Sequence, residues 1–311
     1  MGQFIGSFLL FITAIIWGLA FTAQSTAAES IGSFTFNTAR CILAAFFLMT
    51  IILSRKTFYS VRKKEITDAK PFFCKENITG GILCGVTLFM GMNLQQFGIA
   101  AYPPDAASSG RAGFLTATYV VMIPIAQRLT GKKLQLPVII AVIGCIFGMY
   151  LLCMSGGFNG IYTGDILVLG CALAYTAYIF AVDRCAGLDG LTVSCIQFFV
   201  CGIMCAIGTL LTEKPDISVL LNAAVPILYT GILSSGVGYT LQIIGQKTAE
   251  PAVASIVMSL ESVFAALFGW LILGEILSTR ELIGCALVFI SVIMAQIPDF
   301  VKVTKNKSER M

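Results

Sequence analysis

Histidine is absent from this 311-residue sequence, and charge of either sign is scarce, at 12% of residues. The first absence removes the commonest general base and the commonest nitrogen ligand for a metal. The second removes the solvated surface of a soluble domain, in which about a quarter of residues would be charged. No two of the eleven cysteines form a CxxC pair, so no zinc set can be assembled from them alone. Most sit inside apolar runs (Cys41, Cys84, Cys145, Cys171, Cys201, Cys205, Cys285) and read as small hydrophobes in helix interfaces. The first apolar run has no basic leader and no small-residue cleavage site, so it reads as a membrane span rather than a removed signal.

What remains is apolar. Hydrophobic residues make up 57% of the chain, and the mean hydropathy is +0.90. Runs such as 6–23 and 138–154 are long enough, at 1.5 Å per residue, to cross a hydrocarbon layer of about 30 Å. The pattern predicts an all-α membrane protein with ten transmembrane helices, near 4–24, 33–53, 78–100, 105–127, 136–154, 164–183, 191–211, 223–246, 251–273 and 280–297. Breaks fall at turn residues and charges, among them Pro103-Pro104-Asp105, Gly131-Lys132-Lys133 and Glu213-Lys214-Pro215.

With the N-terminus inside, 16 of the 20 Lys and Arg fall in inner segments, 2 in outer loops (Lys214, Arg280) and 2 within spans (Arg40, Arg111). This asymmetry predicts a multi-pass cell-membrane protein with both termini cytoplasmic. The basic 54–77 loop and the basic tail at 301–311 are read as topogenic and solvated, not as a nucleic-acid surface.

The chain also repeats itself. A shift of 147 positions lays GMNLQQFG (Gly91 to Gly98) on GYTLQIIG (Gly238 to Gly245) and Pro104 on Pro251. A different offset lays WGLAF (Trp17 to Phe21) on YTAYI (Tyr175 to Ile179). The matches are Gly, Gln and Pro rather than interchangeable aliphatics. A displacement of five spans is odd, so two such halves, 1–155 and 156–300, are inverted relative to each other. Inverted repeats place a solute site near the midplane between halves.

Within 252–297, AVASIVMSLESVFAALFGWLILGEILSTRELIGCALVFISVI resembles the closing segment of the EamA family in the drug/metabolite transporter superfamily. The first half answers with AIIWGLAF (Ala14 to Phe21), NTARCILAAFFL (Asn37 to Leu48) and AASSGRAGFLTATYVVMIPI (Ala106 to Ile125). The resemblance implies a ten-span, two-repeat fold that moves small organic solutes, often outward. Two departures stand out. Ser262 occupies a place where the family commonly has proline, which puts the kink there in doubt, and Gln127-Arg128 replaces the Gly274-Glu275 of the second half.

Ionisable residues inside a bilayer are costly and mark functional candidates. Glu261 lies about 15 Å from the inner end of its span, near the midplane. Arg111 and Arg40 lie shallower, within snorkelling reach of the outer head groups. A guanidinium suits a carboxylate and a carboxylate suits an ammonium. Arg111 and Glu261 together therefore predict a zwitterion site of amino-acid size, or else a structural salt bridge with no ligand. Gln95 and Gln242, at matching repeat positions, and Asn93 and Asn37 are candidates for solute contact or helix pairing. Trp17, Tyr119, Tyr175, Tyr178 and Tyr239 are candidate walls. A lone deep carboxylate also makes a proton the candidate coupling ion.

The function predicted is secondary transport, with export of a small metabolite such as an amino acid. Efflux of hydrophobic or cationic drug-like compounds and a non-transporting receptor or accessory subunit stay open. An enzyme is not expected, because no nucleophile–base pair, carboxylate cluster or metal set can be formed. A channel would want rings of identical polar groups, yet the repeat sets Phe114 against Glu261 and Met258 against Arg111. No cofactor, metal or nucleic acid is called for. The partners are a small-molecule solute, the lipid bilayer and, in coupling, protons, and the chain acts as a monomer or homodimer.

Overall fold

Inside lipid no water is available to hydrogen-bond the backbone, so an apolar chain of this kind satisfies its peptide groups within helices. The computed structural model describes residues 2–61, 74–103, 108–131, 134–153, 162–273 and 278–308, and among these there are helices and no strand. The first half holds α1 (Gly2–Ala28), α2 (Ser33–Val61), α3 (Lys75–Ala100), α4 (Ser108–Ala117), α5 (Tyr119–Leu129) and α6 (Leu136–Cys153). The second holds α7 (Thr163–Arg184), α8 (Gly190–Thr212), the short α9 (Ile217–Asn222) and α10 (Ala224–Leu228), and a π-helical stretch at Tyr229–Gly238. It continues with α11 (Tyr239–Gln246), α12 (Pro251–Met258), α13 (Leu260–Leu273) and α14 (Thr279–Ser308).

Eight segments have the length and hydropathy of membrane spans, and Leu136–Leu151 is a shorter apolar helix. The predicted tenth span lies within α14. The surface is apolar, and the interior, largely apolar as well, also holds polar side chains. Ile143, Leu173, Ile203 and Leu210 point outward, whereas Asn37, Gln96, Gln197, Ser194 and Ser255 are fully buried. Interior amides and hydroxyls tie helices together where lipid offers no competing partner.

The two halves are inverted repeats, and the packing shows it directly. α2 lies against α8 and α6 against α14, each helix beside its own counterpart. Both pairs are antiparallel. Along α2 and α8, Phe34 meets Gly208, Cys41 meets Cys201 at 3.6 Å between sulfurs, and the Ala45 carbonyl meets Cys195. Along α6 and α14, Gly144 faces Ser291 and Gly148 faces Gly284. Parallel halves would set counterparts in the same direction. Other contacts also come in pairs: α3 on α7 answers α1 on α11, and α4 on α7 answers α1 on α13.

The 147-residue shift survives at the level of single glycines. Gly91 is pressed against the Tyr175 ring, and Gly238, 147 positions on, is pressed against Trp17. A Cβ on Gly98 would lie 3.1 Å from the Gly164 carbonyl oxygen, and one on Gly245 would lie 2.9 Å from the Gly6 carbonyl oxygen. These crossings bring backbone onto backbone, which only glycine allows.

The fourth and ninth spans are each broken near the middle, at Thr118 between α4 and α5 and at Ser259 between α12 and α13. The hydroxyls at the breaks bond back to the preceding turn, Thr118 Oγ1 to the Leu115 carbonyl at 2.6 Å and Ser259 Oγ to the Ile256 carbonyl at 2.7 Å. The ninth-span break thus forms without the family's proline at 262. The Ser262 amide completes it with a tightened bond to the Ser259 carbonyl. Broken helices free backbone and place side chains at depth where a cavity can use them.

The π-helical stretch has no counterpart in α3, which runs unbroken. Two of its carbonyls bond to α1, Ser234 to Trp17 Nε1 at 3.3 Å and Gly238 to Thr13 Oγ1 at 3.2 Å. Its small residues lie on α2, with Gly231 on Leu43 and Gly236 on Phe47.

Candidate functional site

Between the halves lies a small cavity of about 40 Å³. It is lined from α1 (Trp17, Ala20, Phe21, Gln24), α2 (Arg40) and α3 (Gln95), and from the broken fourth span (Thr116, Tyr119). The second half supplies Tyr175, Tyr178 and Ile179 of α7, Ser234, Tyr239 and Gln242 of the eighth span, and Met258 and Glu261 around the ninth-span break. Of the residues singled out from sequence, Glu261, Gln95, Gln242, Trp17, Tyr119, Tyr175 and Tyr178 share this one space.

Asn93 lies elsewhere. Its Oδ1 accepts from Asn37 Nδ2 at 3.0 Å and its Nδ2 donates to the Cys205 sulfur at 3.2 Å, so both asparagines knit α3 to α2 and α8. Arg111 belongs to α4, but its side chain lies outside the described residues.

Arg40 departs from the expectation. Rather than snorkelling to the head groups it is 2% exposed, with Nη1 donating to Gln24 Oε1 at 3.0 Å and the guanidinium 5.7 Å from the Phe36 ring centre. The reason is its place on the helix. Asn37, Arg40, Cys41, Ala44, Ala45 and Leu48 form the stripe of α2 that faces the bundle, and all are buried. The helical spacing of these residues carried the signal, which an argument from depth alone overlooked. Gln24 and Thr116 also line the cavity and drew no notice, since a single amide or hydroxyl in a span has no periodic signature.

Glu261 is 4% exposed and accepts a hydrogen bond from the Tyr119 hydroxyl at 3.1 Å. No basic group among the described residues lies within salt-bridge distance of it; the ion pair found among them is Arg55 with Asp189, at 3.7 Å and far less buried. Arg40 and Glu261 therefore face one cavity as separate poles, from opposite halves. Taking either charge out of water is costly unless something compensates it. Arg40 Nε and Gln242 Oε1 are buried with no partner, so hydrogen-bonding capacity is left over on the cavity wall.

The remaining wall is aromatic. Trp17 and Tyr239 pack at a tilt of 52° with ring centres 4.7 Å apart, Tyr178 packs edge-on to Tyr239 at 5.8 Å, and the Tyr175 and Tyr239 hydroxyls are hydrogen-bonded at 3.1 Å. Tyr178 donates to Gln197 Oε1, and Gln95 Nε2 donates to Thr116 Oγ1 at 3.2 Å. These bonds hold the rings and amides in place before any solute arrives. Such preorganisation lowers the cost of binding.

Comparison with known proteins agrees with this architecture. The profile of the EamA-like transporter family matches residues 4–154 and again 162–296. An "Uncharacterized transporter" of Archaeoglobus fulgidus is 29% identical over 291 residues, which covers 93% of this chain and 84% of that protein. "Uncharacterized transporter YoaV" of Bacillus subtilis is 20% identical over 90% of this chain and 92% of its own length. "Protein PecM" of Dickeya dadantii is 32% identical over 114 residues, 36% of this chain and 38% of that protein. A crystal structure superposes with a TM-score of 0.73 over 94% of this chain and 96% of the other, at 16% identity, and so shares the fold.

Proposed function

The chain belongs to the EamA-like transporter family, and on that premise we propose that it carries a small zwitterionic metabolite, of amino-acid size, by alternating access through the central cavity. The observation that carries the reading is that Arg40 and Glu261 line one cavity from opposite halves, with no ion-pair partner for either among the described residues. A carboxylate on the solute would take the guanidinium, and an ammonium would take Glu261 and the faces of Trp17 and Tyr239. Arg40 thus fills the cationic role that sequence reasoning gave to Arg111. Neither pole has an ionic partner among the described residues until the solute bridges both, which gives the loaded cavity a reason to close.

The halves, 1–155 and 156–300, are the bodies that rock, with the tail 301–311 on the cytoplasmic side. The breaks at Thr118 and Ser259 lie beside Tyr119 and Glu261, so a change at either break reaches the site directly. Outward movement is carried over from the family resemblance. Coupling to protons is assigned to Glu261, the deepest carboxylate.

The test is uptake and efflux by the purified protein in vesicles, against labelled zwitterions, cations, anions and neutral compounds. Zwitterions are expected to move and to compete with one another. Transport confined to hydrophobic cations would replace this reading with cation efflux, in which Glu261 and the aromatic wall act alone.

Tyr119 offers a finer check. Tyr119→Phe removes the hydrogen bond to Glu261 and keeps the ring. A bond to a charged group contributes about 1.5–3 kcal/mol, so transport at low solute concentration is expected to fall about tenfold or more, with normal expression. An unchanged rate would separate Tyr119 from the site.

A further inference from the structure

Gln127-Arg128, where the first half departs from the Gly274-Glu275 of the second, stands at the end of α5. On the outside of the bundle there, an open groove of about 660 Å³ runs between α5 and α6. α5 contributes Val121, Ile125 and Leu129, one turn apart, and α6 contributes Ile139, Val142 and Ile143. Ile125, Leu129, Ile139 and Ile143 are exposed, so the bundle itself leaves this channel unfilled. From Leu129 to Val121 it runs about 12 Å along the helix axis.

One lining residue is charged, and it sits at the rim. Arg128 is exposed in the last turn of α5 and has no ion-pair partner among the described residues. No acid lines the groove among them. Lys132 and Lys133 follow in the sequence, outside the described residues and outside the site as drawn. The 147-residue shift sets Phe268 and Ile272 in the places of Val121 and Ile125, but Glu275 in the place of Arg128. The halves thus share the apolar positions and carry opposite charges at the rim. The fold's symmetry does not require the guanidinium.

We propose that this groove seats one anionic phospholipid, with an acyl chain along α5 and α6 and the head-group phosphate on Arg128. A guanidinium takes a phosphate through two parallel hydrogen bonds. Basic pockets between transmembrane helices on the cytoplasmic side, where the Lys and Arg pattern predicts this turn to lie, suit anionic head groups. A zwitterionic lipid carries the same phosphate, but its ammonium meets Arg128 with like charge and cancels much of the attraction. A second copy of the chain fits less well. On a two-fold axis the patch would face itself, and Arg128 would find no acid in the groove. The lipid site stands whether or not the central cavity takes a zwitterion.

The experiment is native mass spectrometry and thermal unfolding of the purified full-length protein in detergent, at constant ionic strength. The probes are phosphatidylglycerol, phosphatidylcholine with the same acyl chains, and glycerol phosphate, which has the head group without the chains. One phosphatidylglycerol is expected to stay bound per chain, with a saturable rise in Tm. Phosphatidylcholine should bind about tenfold more weakly. Arg128 is exposed, so its variants should fold as the wild type does. Arg128→Gln should bring the two lipids to equal affinity, and Arg128→Lys should keep part of the preference. Ile143→Trp fills the groove and should weaken both lipids while leaving the surface apolar. Equal binding of the two lipids to the wild type, or a preference that survives Arg128→Gln, overturns the proposal. So does a rise in Tm with glycerol phosphate that matches the lipid's, which would make Arg128 a site for free phosphate groups. A dimer that forms without lipid and is broken by Ile143→Trp would assign the groove to a second copy instead.

Discussion

Arg40→Gln and Glu261→Gln are each expected to lower transport of a zwitterion about 100-fold or more while leaving the protein folded in the membrane. Each removes one charge-assisted contact and leaves the opposite charge of the solute buried without a partner, a loss of about 3 kcal/mol or more. The folding consequences run the other way. In the empty cavity Arg40 keeps Nε unpartnered and Glu261 has no cation beside it among the described residues. Neutralising either relieves desolvation that the bond to Gln24 and the Phe36 ring, or the bond from Tyr119, repay only in part in the absence of solute, so Tm should hold steady or rise. A structural salt bridge would behave oppositely, because removing one partner strands the other and destabilises the fold by about 3–5 kcal/mol.

The pair also divides solutes by charge. Arg40→Gln should spare cations that lack a carboxylate, and Glu261→Gln should spare anions that lack an ammonium. Reversing both residues together, Arg40→Glu with Glu261→Arg, should keep the fold and fail to restore normal transport, since the poles would then face the wrong halves. Counterflow in vesicles with a matched cation, anion and zwitterion reads all of these. If both single substitutions move zwitterions at the wild-type rate, the cavity is not a polarised site. Glu261→Gln further tests coupling, because proton-driven transport that survives it would require another proton carrier.

How far the sequence could be read depended on the kind of signal. Spans and the repeat were legible because lipid imposes a coarse rule on composition and because glycines at backbone crossings admit no substitute. Gly91, Gly98, Gly238 and Gly245 marked the repeat in sequence and mark the same crossings in space. Glu261 was legible because a short carboxylate at the midplane has no route to water. Arg40 was misjudged because a long side chain can reach solvent in principle, and depth does not say which way a helix face points. The discontinuities were harder still. At the Ser259 break a hydroxyl bonds back to its own turn, and in the π-helical stretch Gly231 and Gly236 pack on α2. Neither uses the proline that a sequence reader looks for.

A close crossing of the same kind lies beside the site and carries the second large effect. A Cβ on Gly18 would lie 2.5 Å from the Phe264 Cβ, 2.8 Å from the Ala265 nitrogen and 2.9 Å from the Glu261 carbonyl oxygen. Two of those atoms are backbone, so no rotamer change makes room, and α1 or α13 must move. The residue at the equivalent place in the second half is Thr176, so α7 crosses α4 less closely than α1 crosses α13. Gly18→Ala is therefore expected to cost about 1–3 kcal/mol as an overpacked interior position. Because the displaced backbone is that of Glu261 itself, transport should fall further than stability alone explains. Gly18→Val should abolish recovery of folded protein. Gly170→Ala is the control, since its nearest new contact is an ordinary 3.6 Å to Leu94, and alanine gains about 0.5–1 kcal/mol over glycine within a helix. Thermal unfolding and vesicle transport measured on both variants decide the matter. Equal stability and equal transport for Gly18→Ala and Gly170→Ala would show that α1 is free to shift on α13, and that the position of Glu261 does not depend on this crossing.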